Sequence, residues 1–181
     1  LAQYEGIYRV DDTATRTLRV VDGKMTVQRT DRPREELTAI ADGSFLYSDG
    51  FNRITLERDA AGKVSGMRFF PEGEGEGVVA PLTDLPLPVA ITLPREALER
   101  LVGTYRMKDV ELSIALDGEA LSGHIKGQPM PVPFVAMTPT RFTGDIVGAE
   151  LVFAPDTGPA STVTLRQWGE SMVFERVPAE D

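Results

Sequence analysis

Leu1-Ala2-Gln3-Tyr4-Glu5-Gly6-Ile7-Tyr8-Arg9 returns later in the chain as Leu98-Glu99-Arg100-Leu101-Val102-Gly103-Thr104-Tyr105-Arg106. The landmarks that follow return in the same order. Asp22-Gly23 is echoed by Asp117-Gly118, Ser44-Phe45 by Arg141-Phe142, Asp59 by Asp156, and Met67-Arg68 by Leu165-Arg166. Self-similarity in a fixed order is the mark of a duplicated unit. A unit of roughly 90 residues can bury a modest core of its own. The chain therefore reads as two domains, 1–82 and 95–181, joined by a proline-rich linker at 83–94.

Within each copy the apolar residues alternate with polar ones. Leu18 and Val20 flank Arg19, Met25 and Val27 flank Thr26, and Ile54 and Leu56 flank Thr55. In the second copy Leu112, Ile114 and Leu116 alternate with Ser113 and Ala115. Period two places such side chains on opposite faces of a strand. Asp22-Gly23, Asp42-Gly43, Asp49-Gly50 and Asp117-Gly118 punctuate the runs as hairpin turns. About eight strands per copy follow, at the spacing expected of barrels and sandwiches. Sequential antiparallel strands of this number close most economically into an up-and-down barrel, which leaves no exposed edge. A two-sheet sandwich is the alternative. Further strands are expected near 121–126, 131–137, 141–146, 149–154, 161–168 and 171–177. Pro129, Pro131 and Pro133 mark one of these as an irregular edge or a loop.

Each copy is expected to open with a short helix. Pro94 suits the first helical position and Gly103 the C-terminal stop. Leu1 aligns with Leu98, so the first copy starts inside this helix, and the chain reads as a piece of something longer. The boundary stretch 81–94 holds Pro81, Pro86, Pro88 and Pro94, which favour an extended connection. The leucines and Val89 between them are expected to lie against the barrels.

Composition narrows the function. The net charge of −9 argues against nucleic acid and anionic membranes, both of which demand a basic face. There is no cysteine, so disulfides and thiolate metal sites are excluded. No apolar run is long enough to span a bilayer. The single histidine, His124, has no nucleophile elbow to serve and reads as an ordinary strand residue. Glu72-Gly73-Glu74-Gly75-Glu76-Gly77 offers three carboxylates on a flexible backbone. It lacks the spacing of a calcium loop and reads as a solvated hairpin. Tyr8, Met25, Phe45, Tyr47, Met67, Phe69, Phe134, Phe142, Phe153, Trp168 and Phe174 read as core, or as the lining of a small ligand cavity. Arg68 and Arg166 occupy matched positions and either cap a barrel end or pair on the surface. A hydrolase using carboxylates alone is the least favoured reading. No catalytic, metal-binding or ligand-binding residue is assigned, and no cofactor is implied.

The order Leu-x-x-(Tyr/Leu)-x-Gly-x-Tyr-Arg, the Asp-Gly hairpins and Asp59-x-x-Gly62-Lys63-Val64 together resemble a known pattern. It is that of the lipocalin-like β-barrel domains C-terminal to the catalytic domain of bacterial and archaeal serine hydrolases related to β-lactamases. Two barrels in series are similar to the arrangement in D-aminopeptidase-type serine peptidases. The resemblance implies an N-terminal serine hydrolase domain in cis as partner, and an accessory role in substrate access or assembly. Periplasmic or secreted localisation is favoured over cytoplasmic, and association between copies is left open. The S-x-x-K and Tyr-x-Asn motifs of that catalytic domain have no counterpart here, so no catalytic residue carries over. A protein binding a small apolar ligand in each barrel is the alternative.

Overall fold

The computed structural model describes residues 1–178. The last three residues of the expected second domain, 179–181, lie outside the described residues. The fold is all-β, and the chain divides into two compact units. One comprises Leu1–Thr30 and Arg34–Leu87; the other comprises Asp31–Pro33 and the chain from Pro88 onward.

The first unit is a meander of β1 (Gly6–Arg9), β2 (Thr15–Val21), β3 (Lys24–Arg29), β4 (Arg34–Ala39), β5 (Phe45–Tyr47), β6 (Arg53–Arg58), β7 (Val64–Phe70) and β8 (Val78–Pro81). Every neighbour in sequence is an antiparallel neighbour in space. The barrel is nearly closed: Tyr8 and Leu82 bridge β1 to the chain just past β8. Thr83 then donates both its backbone N–H and its hydroxyl to the Ile7 carbonyl, each at 2.8 Å. The start of the expected linker thus completes the first barrel.

The second unit repeats the meander with β9 (Gly103–Met107), β10 (Val110–Asp117), β11 (Ala120–Ile125), β12 (Val132–Ala136), β13 (Arg141–Gly144), β14 (Ala149–Ala154), β15 (Thr162–Gln167) and β16 (Glu170–Arg176). Here β16 pairs with β9 and the barrel closes fully. The strand with Pro133 is not an edge. It is β12, flanked by β11 and β13. Its ladder to β13 covers Val135 and Ala136 only, so Pro133 is not asked for a donor there.

The helical starts are shorter than expected. The first copy has a single 3-10 turn, Ala2–Tyr4. The second has α1 (Arg95–Glu99), with Pro94 as its N-cap and Arg100 as its C-cap. Gly103 opens β9 instead of ending a helix. No glycine stop is needed because side chains take the free carbonyls. Tyr105 Oη donates to the Leu101 carbonyl at 2.7 Å, as Tyr8 Oη does to the Tyr4 carbonyl at 2.7 Å. Burial pushes the Tyr8 phenol up to about 12.

Strand register corrects two of the matches read from sequence. The first hairpin turns on Asp22 and Gly23, both at positive φ, and the second on Gly118 and Glu119, one residue later than the Asp-Gly pairing implies. Phe45 and Phe142 do correspond, since they face Ile54 and Leu151 in the same register. Ile54 then faces Phe69 and Leu151 faces Leu165. Phe69, not Met67, is therefore the counterpart of Leu165, and Arg68 does not match Arg166. A bulge that leaves Ser65 of β7 unpaired opposite Glu57/Arg58 accompanies the slip.

Each core is built from the inward-facing set. In the first barrel Tyr8, Leu18, Met25, Phe45, Ile54 and Met67 are buried. In the second the buried set includes Tyr105, Leu121, Phe142, Phe153 and Phe174, with Tyr105–Phe153 and Phe142–Phe153 meeting edge-on. Trp168 departs from expectation. It sits in the β15–β16 turn at positive φ and is exposed. In the boundary stretch 81–94 Leu82 and Leu93 pack on the first and second cores respectively, whereas Leu85 and Val89 are exposed.

Closure of the second barrel rests on Arg176. Its guanidinium donates to the carbonyls of Arg100, Val102 and Ala160 and to Tyr105 Oη, and lies over the Tyr105 ring. Hydrogen bonds from a charged group contribute about 1.5–3 kcal/mol each when their loss strands a buried partner. Arg176→Met is expected to lower the stability of the second barrel by about 3 kcal/mol. Urea unfolding followed through Trp168, the only tryptophan, reads that barrel directly. A change under about 0.5 kcal/mol, the scatter of an ordinary surface substitution, would remove the latch role.

Candidate functional site

The end of the first barrel away from the 3-10 turn is where strands β2, β4, β6 and β8 begin and β3, β5 and β7 end. Period two fixes what points inward there. Arg16 shares the face of Leu18, Arg29 that of Val27, Glu35 that of Leu37, Tyr47 that of Phe45, and Phe69 that of Met67. The barrel mouth thus carries Arg16, Arg29, Glu35, Tyr47 and Phe69.

The second barrel shows what the fold needs at this level. Tyr8 faces Arg16, and its counterpart Tyr105 faces Leu112. Arg16 in turn faces Arg29, whereas Leu112 faces Ile125. By the same ladders Glu35 corresponds to Val132, Tyr47 to Gly144, and Phe69 to Leu165. The second mouth is apolar, and the Phe134 ring fills the room over Gly123 and Gly144; a Cβ on Gly144 would lie 2.9 Å from it. Charged side chains at this level are a property of the first copy and not of the barrel.

Arg16 is only 9% exposed. Its guanidinium stacks on the Phe69 ring, 4.0 Å from the centroid. Such a stack contributes up to about 2 kcal/mol when desolvated. No carboxylate lies within ion-pairing distance of Arg16 or Arg29 among the described residues. Directly opposed residues on one face of an antiparallel pair have Cβ atoms about 5 Å apart, and like charges there repel. The Tyr47 phenol is pushed up by burial, against the charge of Arg16 and a hydrogen bond that Arg16 donates to the Tyr47 hydroxyl. Burial and the charge of Asp49 push the Glu35 carboxyl above its ordinary value, against a hydrogen bond from Ser48. Asp49 itself is held low because it accepts from the backbone N–H groups of Phe51 and Asn52 and from the Asn52 amide.

The residues singled out in the sequence lie elsewhere. His124 points away from the core on β11, and its Nε2–H donates to the Gln128 carbonyl at 2.9 Å, which ties down the following turn. Arg68 pairs with Glu57 at 2.7 Å and donates to the Glu76 carbonyl; Arg166 pairs with Glu150 at 3.2 Å. The arginine that closes a barrel end is Arg176. The Glu72–Gly77 loop joins antiparallel β7 and β8 at the mouth as an exposed hairpin connection, and its backbone is tied down. Arg53 binds the Gly73 carbonyl, Arg68 the Glu76 carbonyl, and Asn52 the Glu72 N–H. Among the described residues no group of three or more histidine or acidic side chains is placed to hold a metal ion. Among them, too, no helix is long and apolar enough to cross a membrane. Sequence reading passed over Arg16, Arg29 and Glu35. The available signal was their place on the apolar face of alternating strands, opposite Leu112, Ile125 and Val132 of the other copy.

No protein-family model matches the chain, and no curated protein matches it at a significant level.

The position of Glu35 fixes a pH dependence. A carboxyl with a raised folded-state pKa binds its proton more tightly in the native state. Its contribution is therefore largest at low pH and is lost as pH rises through the raised value. Glu35→Gln is expected to raise the urea midpoint at pH 7.5, and the gain is expected to shrink toward zero below pH ~4, where glutamate is neutral in both states. Equal midpoints at pH 7.5 would mean that the native site does not oppose the Glu35 charge.

Proposed function

We propose that this chain is a non-catalytic accessory module. In this reading two lipocalin-like barrels follow the catalytic domain of a bacterial β-lactamase-related serine hydrolase or peptidase, and they modulate its substrate access or assembly. The observation that carries this reading is that each barrel is filled by its own side chains. Tyr8, Leu18, Met25 and Met67 occupy the first, and Tyr105, Phe142, Phe153 and Phe174 the second, all at most 2% exposed. A filled barrel acts through its rims and loops. It leaves little room for a wholly apolar ligand inside, which is why the accessory role is preferred to that of an apolar-ligand carrier. The ordered repeat of Gly-x-Tyr-Arg and its hairpins supports the family resemblance. A hydrolase acting on cell-envelope material fits a periplasmic or secreted setting.

The acidic Glu72–Gly77 loop is the part of the first barrel best suited to reach a neighbouring domain, because it projects from a rim and its backbone is held by Arg53 and Arg68. In the longer hydrolase, replacing residues 72–77 by a two-residue turn is expected to change the kcat/KM ratio between small and bulky substrates by roughly fivefold, about 1 kcal/mol of differential transition-state binding. Identical substrate profiles would remove the loop from this role.

A further inference from the structure

Arg16 and Arg29 pose an electrostatic problem that the first barrel meets only in part. Arg16 lies on the Phe69 ring and hydrogen-bonds the Tyr47 hydroxyl, and the charge of Asp11 acts on Arg29, but among the described residues no carboxylate pairs directly with either. An arginine cannot shed its proton in a protein. Withdrawing its charge from water is costly unless an anion or hydrogen-bond acceptors compensate. These two arginines are paired in register on the inward face of the β2–β3 ladder. Neither has an ion-pair partner among the described residues. The second barrel carries Leu112 and Ile125 at the same two positions, and both pack with its core. A barrel of this kind therefore packs without arginines at these positions, which leaves the pair available for a further role.

We propose that the Arg16–Arg29 mouth of the first barrel binds the carboxylate of a small, monoanionic organic acid. The guanidinium fork matches a carboxylate's two oxygens, and a second arginine opposite supplies further donors. Phe69 holds Arg16 flat and orients that fork. Below the arginines the barrel is occupied by Leu18, Met25 and Met67, so only the head group enters. The body of the ligand lies outward, toward Phe51 and Val78, which are exposed at this same end. The acidic groups of the rim set the charge. Glu35, Asp49 and the glutamates of the 72–77 loop lie at this same end of the barrel, and their repulsion weighs more heavily on a dianion than on a monoanion. This inference stands on the first barrel alone and does not depend on the accessory role.

The test uses the whole chain, labelled with ¹⁵N and titrated with hexanoate, benzoate, hexanamide and inorganic phosphate. Hexanoate or benzoate is expected to shift the Arg16 and Arg29 Nε–H resonances in a saturable way, and hexanamide is not. Arg16→Leu and Arg29→Ile place in the first barrel the residues that the second already carries. Both variants are expected to fold with unchanged or higher melting temperature, and to bind hexanoate roughly tenfold or more weakly, the loss expected for a charged hydrogen-bonded pair. No saturable shift with either carboxylate overturns the proposal. So does undiminished binding by the Arg16→Leu variant. Phosphate bound as tightly as hexanoate overturns the carboxylate assignment.

Discussion

Both barrels depend on one constraint, the closing of a sheet whose first strand must meet its last. The device is the same at each start. A tyrosine on the first strand buries its ring in the core and reaches back to a main-chain carbonyl four residues earlier. A buried phenol needs such a partner, and a chain entering a barrel has carbonyls to spare. Two residues before the tyrosine stands a glycine, where the closing residue of the far strand presses against the backbone. A Cβ at Gly6 would lie 2.5 Å from Leu82, and one at Gly103 would lie 2.9 Å from Arg176. The closing residues differ, and so does the closure. Arg176 reaches three carbonyls and a phenol and binds the rim into one network. Leu82 has no side-chain donors, so the first barrel is held by a single bridge and by Thr83.

At the opposite end the two copies diverge. The second barrel fills its mouth with Leu112, Ile125 and Leu165, and seats the Phe134 ring over two glycines. The first keeps Arg16 over Phe69 and sets Arg29 and Glu35 on the same inward face. Apolar replacements of buried charges are often neutral or stabilising. The second copy demonstrates that such a replacement is compatible with this barrel. Duplication separates the two demands: one copy satisfies packing throughout, while the other retains charge where packing alone would exclude it.

Much of this architecture was legible from the residues. The repeat and the period-two alternation announced two all-β units, and Leu18, Met25 and Ile54 pointed inward as their spacing required. Barrel could be preferred to sandwich because sequential hairpins leave no other use for the edges. Register was less accessible. Aligning Met67-Arg68 with Leu165-Arg166 matched chemical type, whereas the ladders make Phe69 the counterpart of Leu165. A bulge shifts strand residues without changing their composition, so no pattern of residue types records it. Arg176 was hidden for a different reason: its acceptors are main-chain carbonyls, which every residue has. Arg16 carries a weak signal of its own, its two-residue spacing from Leu18, because an arginine among alternating residues ordinarily belongs to the solvent face.

The acidic loop brings these strands of argument together. Its glycines answer to geometry: a Cβ at Gly73 would meet the Phe51 carbonyl at 2.9 Å, and one at Gly77 the Phe69 carbonyl at 2.9 Å. Both residues also hold positive φ. Its glutamates answer to nothing of the kind. The two loop residues whose carbonyls Arg53 and Arg68 bind, Gly73 and Glu76, contribute main-chain atoms only, so the Glu72, Glu74 and Glu76 carboxylates are not what secures the loop. What they change is the potential at a rim whose floor is cationic. A mouth with positive charge deep inside and negative charge around its edge repels polyanions before they reach the guanidinium groups, while a single carboxylate on an uncharged body meets the least opposition. Selectivity by charge then comes from the rim and affinity from the floor, a separation that a uniformly basic opening could not provide.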